Sequence, residues 1–210
     1  MENEVISVID YGMGNLKSVE KALQSLGFDA KITSDPDEVR KSERAVLPGV
    51  GAFGDCRKGL KDSGLEEATL EIIKSGKPLL GICVGMQMLF EKDYEFGEHD
   101  GFGYFKGSVR KFPDEIVRDG LKIPQIGWNQ IIKKFEHPLL EGISTGDYFY
   151  FVHSYRAKSE NPGAEALTCV YGEEFTAMAI RDNVAATQFH PEKSQKLGLH
   201  LLNNFANWKI

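Results

Sequence analysis

The sequence predicts an α/β protein: a mixed, mostly parallel central sheet flanked by helices, with an added antiparallel portion. Three observations carry this expectation. Apolar strand-like runs alternate with amphipathic helices as far as Phe90, a pattern that implies parallel pairing through right-handed crossovers. The run from Pro78 to Ile82 ends at Cys83 in a turn with glycine two residues to either side, Gly81 and Gly85. From Gly101 onward short β-like runs and turns follow without helical periodicity, as antiparallel strands would. With 210 residues, 41% hydrophobic and 27% charged, the chain has the composition of one globular domain spanning 1–210.

Taken in order, Glu4 to Asp10 reads as a buried strand, and Tyr11-Gly12-Met13-Gly14-Asn15 as a turn into a helix with Leu16, Val19, Leu23 and Leu26 on one face. Asn15 is the expected N-cap and Gly27 the left-handed stop. Gly12 and Gly14 lack the third glycine of a dinucleotide fingerprint, so a tight turn is expected rather than a phosphate cradle. Phe28 to Ile32 is a second strand, Asp35-Pro36 opens a short helix, and Arg44 to Leu47 is a third strand. It runs into Pro48-Gly49-Val50-Gly51-Ala52-Phe53-Gly54, whose glycines suit a loop with mobile amides. Leu65 to Lys74 supplies another helix, Pro78 to Ile82 the strand before Cys83, and Val84 to Phe90 the helix after it. Beyond these, β-like runs are expected at Gly101 to Phe105, Ser108 to Phe112, Trp128 to Lys133, Tyr148 to Val152, Ala166 to Tyr171 and Thr176 to Ile180. Val184 to Phe189 reads as a core strand, followed by His190-Pro191-Glu192-Lys193-Ser194 and a closing helix with Leu197, Leu201, Phe205 and Trp208 on one side.

A net charge of −6 without charge blocks offers no electrostatic argument for nucleic acid or an anionic membrane. No apolar run approaches the roughly 18 residues that a membrane span needs, and Met1 to Glu4 lacks the basic start of a signal peptide. A cytoplasmic protein is expected. Its three cysteines, Cys56, Cys83 and Cys169, fit neither a disulfide framework nor a zinc site. His99, His137 and His200 lack metal-ligand spacing, so no metal or cofactor is expected.

Gly81-x-Cys83-x-Gly85 is the thiol form of a nucleophile elbow, in which side chains at the ±2 positions would collide around a strained apex. At the start of a helix the sulfur is favoured as a thiolate. Alone, the motif also fits a buried core cysteine. His190 and Glu192 supply the base and the acid that orients it, two residues apart and on the same side of an extended stretch. Adjacent parallel strands before Cys83 and His190 would bring the three together at one carboxyl edge of the sheet. The Val84 N–H is the expected first oxyanion donor. The second is expected from Val50 or Gly51 in the Gly49-Val50-Gly51 loop, after a peptide flip.

These residues resemble the class I, triad-type glutamine amidotransferases, and within them the branch whose ammonia serves a cyclase of histidine biosynthesis. The resemblance rests on Ile9 to Leu16, Pro48 to Phe53, Gly81 to Gln87, Phe151-Val152-His153-Ser154-Tyr155 and Gln188 to Ser194. It implies a flavodoxin-like layered fold, L-glutamine as substrate and a glutamyl thioester on Cys83. It also implies a heterodimer with a (β/α)8-barrel cyclase that receives the ammonia. By the same resemblance, Gly49, Gly51, Gln87, His153, Ser154 and Tyr155 would hold the glutamine, and Asn15, Trp128, Tyr150 and Lys193 would face the partner. The chain departs from the family pattern at Gln125, where histidine is usual, and across Phe102 to Lys106. A glutaminase motif does not name the ammonia acceptor, so a paralogous class I enzyme feeding another pathway stays open.

Overall fold

The computed structural model describes residues 5–161 and 163–210. In chain order the first part comprises β1 (Val5–Ile9), α1 (Leu16–Ser25), β2 (Asp29–Thr33), α2 (Pro36–Lys41), β3 (Arg44–Gly49), α3 (Phe53–Asp62), α4 (Leu65–Lys74), β4 (Leu79–Cys83) and α5 (Val84–Gln87). The second part comprises β5 (Phe90–Asp93), β6 (His99–Asp100), β7 (Phe105–Lys111), α6 (Glu115–Arg118), β8 (Gln125–Lys133), β9 (Tyr148–His153), β10 (Tyr155–Ser159), β11 (Glu165–Tyr171), β12 (Glu173–Arg181), β13 (Val184–Thr187) and α7 (Gln195–Ala206). Among the described residues, nine strands form one sheet in the order β2-β1-β3-β4-β13-β12-β11-β8-β9. From β2 to β13 the pairs are parallel, and from β13 to β9 they are antiparallel.

The chain runs from β1 outward to β2, then back past β1 to β3 and β4. Right-handed crossovers in opposite directions put α1 on one face of the sheet and α2 and α4 on the other. Accordingly α1 packs with α7, and α4 with α2 and α3. Covered on both faces, β3 and β4 are buried at every residue. Strand order reverses between β1 and β3, which leaves a crevice at their carboxyl ends beside β4.

Several elements differ from expectation. Glu4, the expected start of the first strand, lies outside the described residues. Asn15 stands at the N-cap of α1 but makes no side-chain cap hydrogen bond, whereas Asp35 caps α2 by accepting from the Asp37 N–H at 2.8 Å. Gly27 does adopt φ +91°. Pro48 and Gly49 belong to β3 rather than to a loop, because they continue the parallel pairing with Ile82 and Cys83. Gly54 lies within α3, a helix the glycine content concealed although Phe53, Cys56 and Leu60 bury one face of it. The helix after Cys83 is one turn long, because Phe90 leaves it to pair with Phe105. The second half does not simply extend the main sheet: β10-β7-β5-β6 form a separate sheet.

Candidate active site

Cys83 ends β4 with φ 55° and ψ −111°, a conformation L-residues rarely adopt. Backbone crowding around it explains the glycines. A Cβ on Gly85 would lie 1.8 Å from the Leu47 carbonyl oxygen, one on Gly81 would lie 2.8 Å from the Gly85 oxygen, and one on Gly49 would lie 2.7 Å from the Gly85 nitrogen. Three glycine backbones thus pack together to hold the apex. The one-turn α5 has little macrodipole to offer the sulfur, since that field is a sum over aligned peptides. What remains is the local row of amides at Val84 and beyond.

β13 pairs with β4 in parallel, Thr187 opposite Ile82, so residue 188 follows directly beside Cys83. His190 is reached two residues later. It is not in an extended stretch with Glu192: Pro191–Lys193 form a 3-10 turn, which brings the two side chains together by curvature rather than by strand alternation. The turn is tied down by the His190 N–H donating to the Tyr150 carbonyl at 3.0 Å and by the Ser194 hydroxyl donating to the His190 carbonyl at 2.6 Å. His190 Nδ1 lies 2.8 Å from Glu192 Oε1, with side chains 2% and 1% exposed. A carboxylate only accepts, so Nδ1 donates and Nε2 is left for the sulfur. Nε2 is buried and has no hydrogen-bond partner of good geometry, as is common before substrate binds. Burial works against the imidazolium, but the attraction of Cys83 and then of Glu192 outweighs it and raises the His190 pKa to about 9. By contrast, burial pushes the Cys56 thiol up to about 11 and that of Cys169 up to about 12, which marks both as inert.

A cavity of ≈ 230 Å³ opens above the sulfur. Of the expected site residues, Val50, Gly51, Cys83, Val84, Gln87, His153, Ser154, Tyr155, His190 and Lys193 line it. Gly49 stands in β3 instead, and Glu192 lies behind the imidazole. Gly51 has φ +116°, a conformation that glycine adopts readily. Below this segment the Tyr11 hydroxyl donates to the Pro48 carbonyl at 2.8 Å and the Cys56 thiol to the Val50 carbonyl at 3.6 Å. His153 sits among Phe112, Phe151 and Phe175, and burial pulls its pKa down to about 4, so the ring is neutral. Its Nδ1 lies 2.8 Å from the Tyr155 carbonyl and therefore carries the proton. Lys193 lines the cavity and is exposed, while Asn15, Trp128 and Tyr150 lie away from it. Trp128 is 44% exposed and its ring meets that of Tyr150 edge-on at 6.1 Å.

Sequence reasoning missed two polar side chains here. Glu95 lines the cavity, and its Oε2 accepts from the Phe53 N–H at the start of α3 at 2.6 Å. Gln188 is completely buried with Nε2 3.8 Å from the Cys83 sulfur. Next to Glu95, Asp93 accepts the Glu95 N–H at 2.7 Å through Oδ1, and Oδ2 is buried without a partner. Burial first, and the Glu95 charge as well, raise the Asp93 pKa from 3.8 to about 7. Between those values the folded protein holds a proton the unfolded chain has released, so stability falls as pH rises through that window. Asp93→Asn should therefore be more stable than the parent at pH 8, with the difference closing as pH falls toward 4. Thermal unfolding across that range checks it, and a pH-independent difference would contradict it.

The model of class-I glutamine amidotransferases matches residues 7–208. The chain is 52% identical over 199 residues to the imidazole glycerol phosphate synthase subunit HisH of Aquifex aeolicus, with 94% of each covered. To the subunit of the same name from Geobacter sulfurreducens it is 47% identical over 206 residues, with 97% of this chain and 99% of that one covered. In structure it resembles PurLQS from Thermotoga maritima, with a TM-score of 0.73 at 19% identity and 98% of each chain covered. At that identity the likeness shows a shared fold. The family match over nearly the whole length, with relatives at half identity, means that the chain belongs to the class I glutamine amidotransferases.

Proposed function

We propose that this chain is the glutaminase subunit of an imidazole glycerol phosphate synthase, releasing ammonia from L-glutamine for a cyclase partner of (β/α)8-barrel fold in histidine biosynthesis. The observation that carries the reading is the arrangement of Cys83, at a strained strand end, beside the buried His190–Glu192 pair, which lies just beyond the end of the neighbouring parallel strand. The names of the relatives support the choice of pathway.

The Cys83 thiolate attacks the carboxamide carbon, and the oxygen takes up the displaced electron pair facing the Val84 N–H and the amide of Val50 or Gly51. His190, protonated beside Glu192, gives its Nε2 proton to the nitrogen as the C–N bond breaks and ammonia leaves. Water then attacks the thioester while His190 takes its proton, and the C–S bond breaks to return glutamate and the thiolate. Glu95 is the carboxylate lining the cavity and suits the α-ammonium of the substrate, with Gln87, His153, Ser154 and Tyr155 around the rest. Trp128 and Tyr150, with exposed Ile126 and Tyr148 on the same two strands, offer an apolar face for the cyclase. Among the described residues no helix is long and apolar enough to cross a membrane, and three free thiols suit a reducing, cytoplasmic setting.

Glutamine hydrolysis measured with and without the histidine-pathway cyclase and its nucleotide substrate tests the proposal. Stimulation by the loaded cyclase is expected. Its absence, with the two chains mixed at micromolar concentration, would assign the ammonia to another acceptor.

A further inference from the structure

We infer that Gln188 is a catalytic residue whose side-chain N–H donates to the Cys83 sulfur and favours the thiolate. This rests on the proposed role of Cys83 as nucleophile. Gln188 follows β13 and is fully buried, with its main chain fixed by an N–H donated to the Ala177 carbonyl at 2.8 Å. Its Nε2 lies 3.8 Å from Cys83 Sγ, and its Oε1 lies 3.2 Å from Gln87 Nε2.

The orientation of this amide follows from a group that cannot flip. The Tyr155 main-chain carbonyl only accepts, and it faces Gln87 Nε2 at 3.2 Å and His153 Nδ1 at 2.8 Å. Gln87 must therefore present its NH2 group inward. The second N–H of that group points at Gln188 and needs an acceptor, which sets Oε1 of Gln188 toward Gln87 and Nε2 toward the sulfur. Reversing Gln188 would press two donors together inside the protein and turn a carbonyl oxygen toward the thiolate, both costly where water is absent. A backbone carbonyl in β10 thus sets, through two carboxamides, the polarity of the group facing the nucleophile.

An N–H donor binds an anionic sulfur more strongly than a neutral thiol or a thioester. Gln188 therefore stabilises the attacking thiolate. It does so again in the second half-reaction, when the C–S bond breaks and its electron pair returns to sulfur while the water proton passes to His190. Both N–H groups of Gln87 face inward, which leaves its Oε1 as the atom available to substrate.

The test is the pH dependence of Cys83 alkylation by iodoacetamide, read by peptide mass in the full chain without glutamine. Gln188→Met keeps volume and removes the donor. The midpoint is expected to rise by about one pH unit, with kcat for glutamine at pH 7 falling about tenfold and KM little changed. An unchanged midpoint in a folded Gln188→Met protein overturns the inference. If that variant does not fold, the parent labelled with ¹⁵N-glutamine decides. A Gln188 side-chain NH2 resonance should shift with the thiol titration and lose that shift in Cys83→Ala; no response to the thiol overturns the inference. Should Cys83 of the parent show no preferential alkylation over Cys56 and Cys169, the failure lies with the nucleophile assignment itself.

Discussion

Cys83→Ala should lower glutamine hydrolysis by at least about 10⁴-fold, while complex formation and ammonia-dependent synthesis by the cyclase stay at the parent level. The magnitude is that of removing a nucleophile from a group of residues that act as one unit. The selectivity follows from the structure. Cys83 is 6% exposed at the end of a strand whose pairing with β3 and β13 is all main chain, and alanine at residue 83 disturbs none of it. Exogenous ammonia bypasses the thioester, so the partner's chemistry is untouched. In the same variant the His190 imidazole loses the first of its two attractive partners and should titrate below the value of about 9 it has beside the thiol, as read by the ring-proton shifts. Loss of both hydrolysis and ammonia-dependent synthesis would instead place Cys83 among the residues that hold the fold or the interface.

Gly85→Ala is expected to destabilise the protein by about 3 kcal/mol or more, at the upper end of what overpacking costs. The new methyl would stand 1.8 Å from the Leu47 carbonyl oxygen, a main-chain atom in the fully buried β3, so no rotamer change relieves it. The elbow has to move away from β3, and with it the Val84 N–H and the sulfur. Hydrolysis should therefore fall even in the fraction that remains folded. Gly27→Ala is the control: its φ is +91° but a Cβ there meets nothing within 4 Å, so the conformational cost of roughly 1 kcal/mol stands alone. Urea midpoints of the two variants and the parent measure the difference. Equal losses at both positions would show that the contact with Leu47 carries no special weight.

What could be read from the sequence was whatever local spacing encodes. The glycines around Cys83 announce a crowded turn, and the alternation of strands and helices announces parallel neighbours, from which the meeting of Cys83 and His190 follows. Residues whose role depends on the exact register of that pairing, or on a loop folding back over the site, were not legible. Gln188 looks like the polar end of an apolar strand until the register of β13 on β4 places it beside the sulfur. Glu95 sits in a loop that is held at the cavity by contacts remote in sequence, among them the Phe53 N–H of α3. The periodicity after Cys83 continued as a helix to Phe90, but tertiary pairing with Phe105 drew that residue into a strand, the usual override of local propensity. Likewise Gly49 and Gly54 suggested a long loop, whereas close approach of backbones explains Gly49, and Gly54 lies in α3 beside the His99 ring.

In the mechanism proposed above, Cys83 carries the substrate covalently. Protein quenched in acid during glutamine turnover, then mapped by peptide mass spectrometry, should carry one γ-glutamyl group on the peptide containing Cys83, removable by hydroxylamine. Ammonia release with Cys83 unmodified throughout, or the adduct on Cys56 or Cys169, would contradict it.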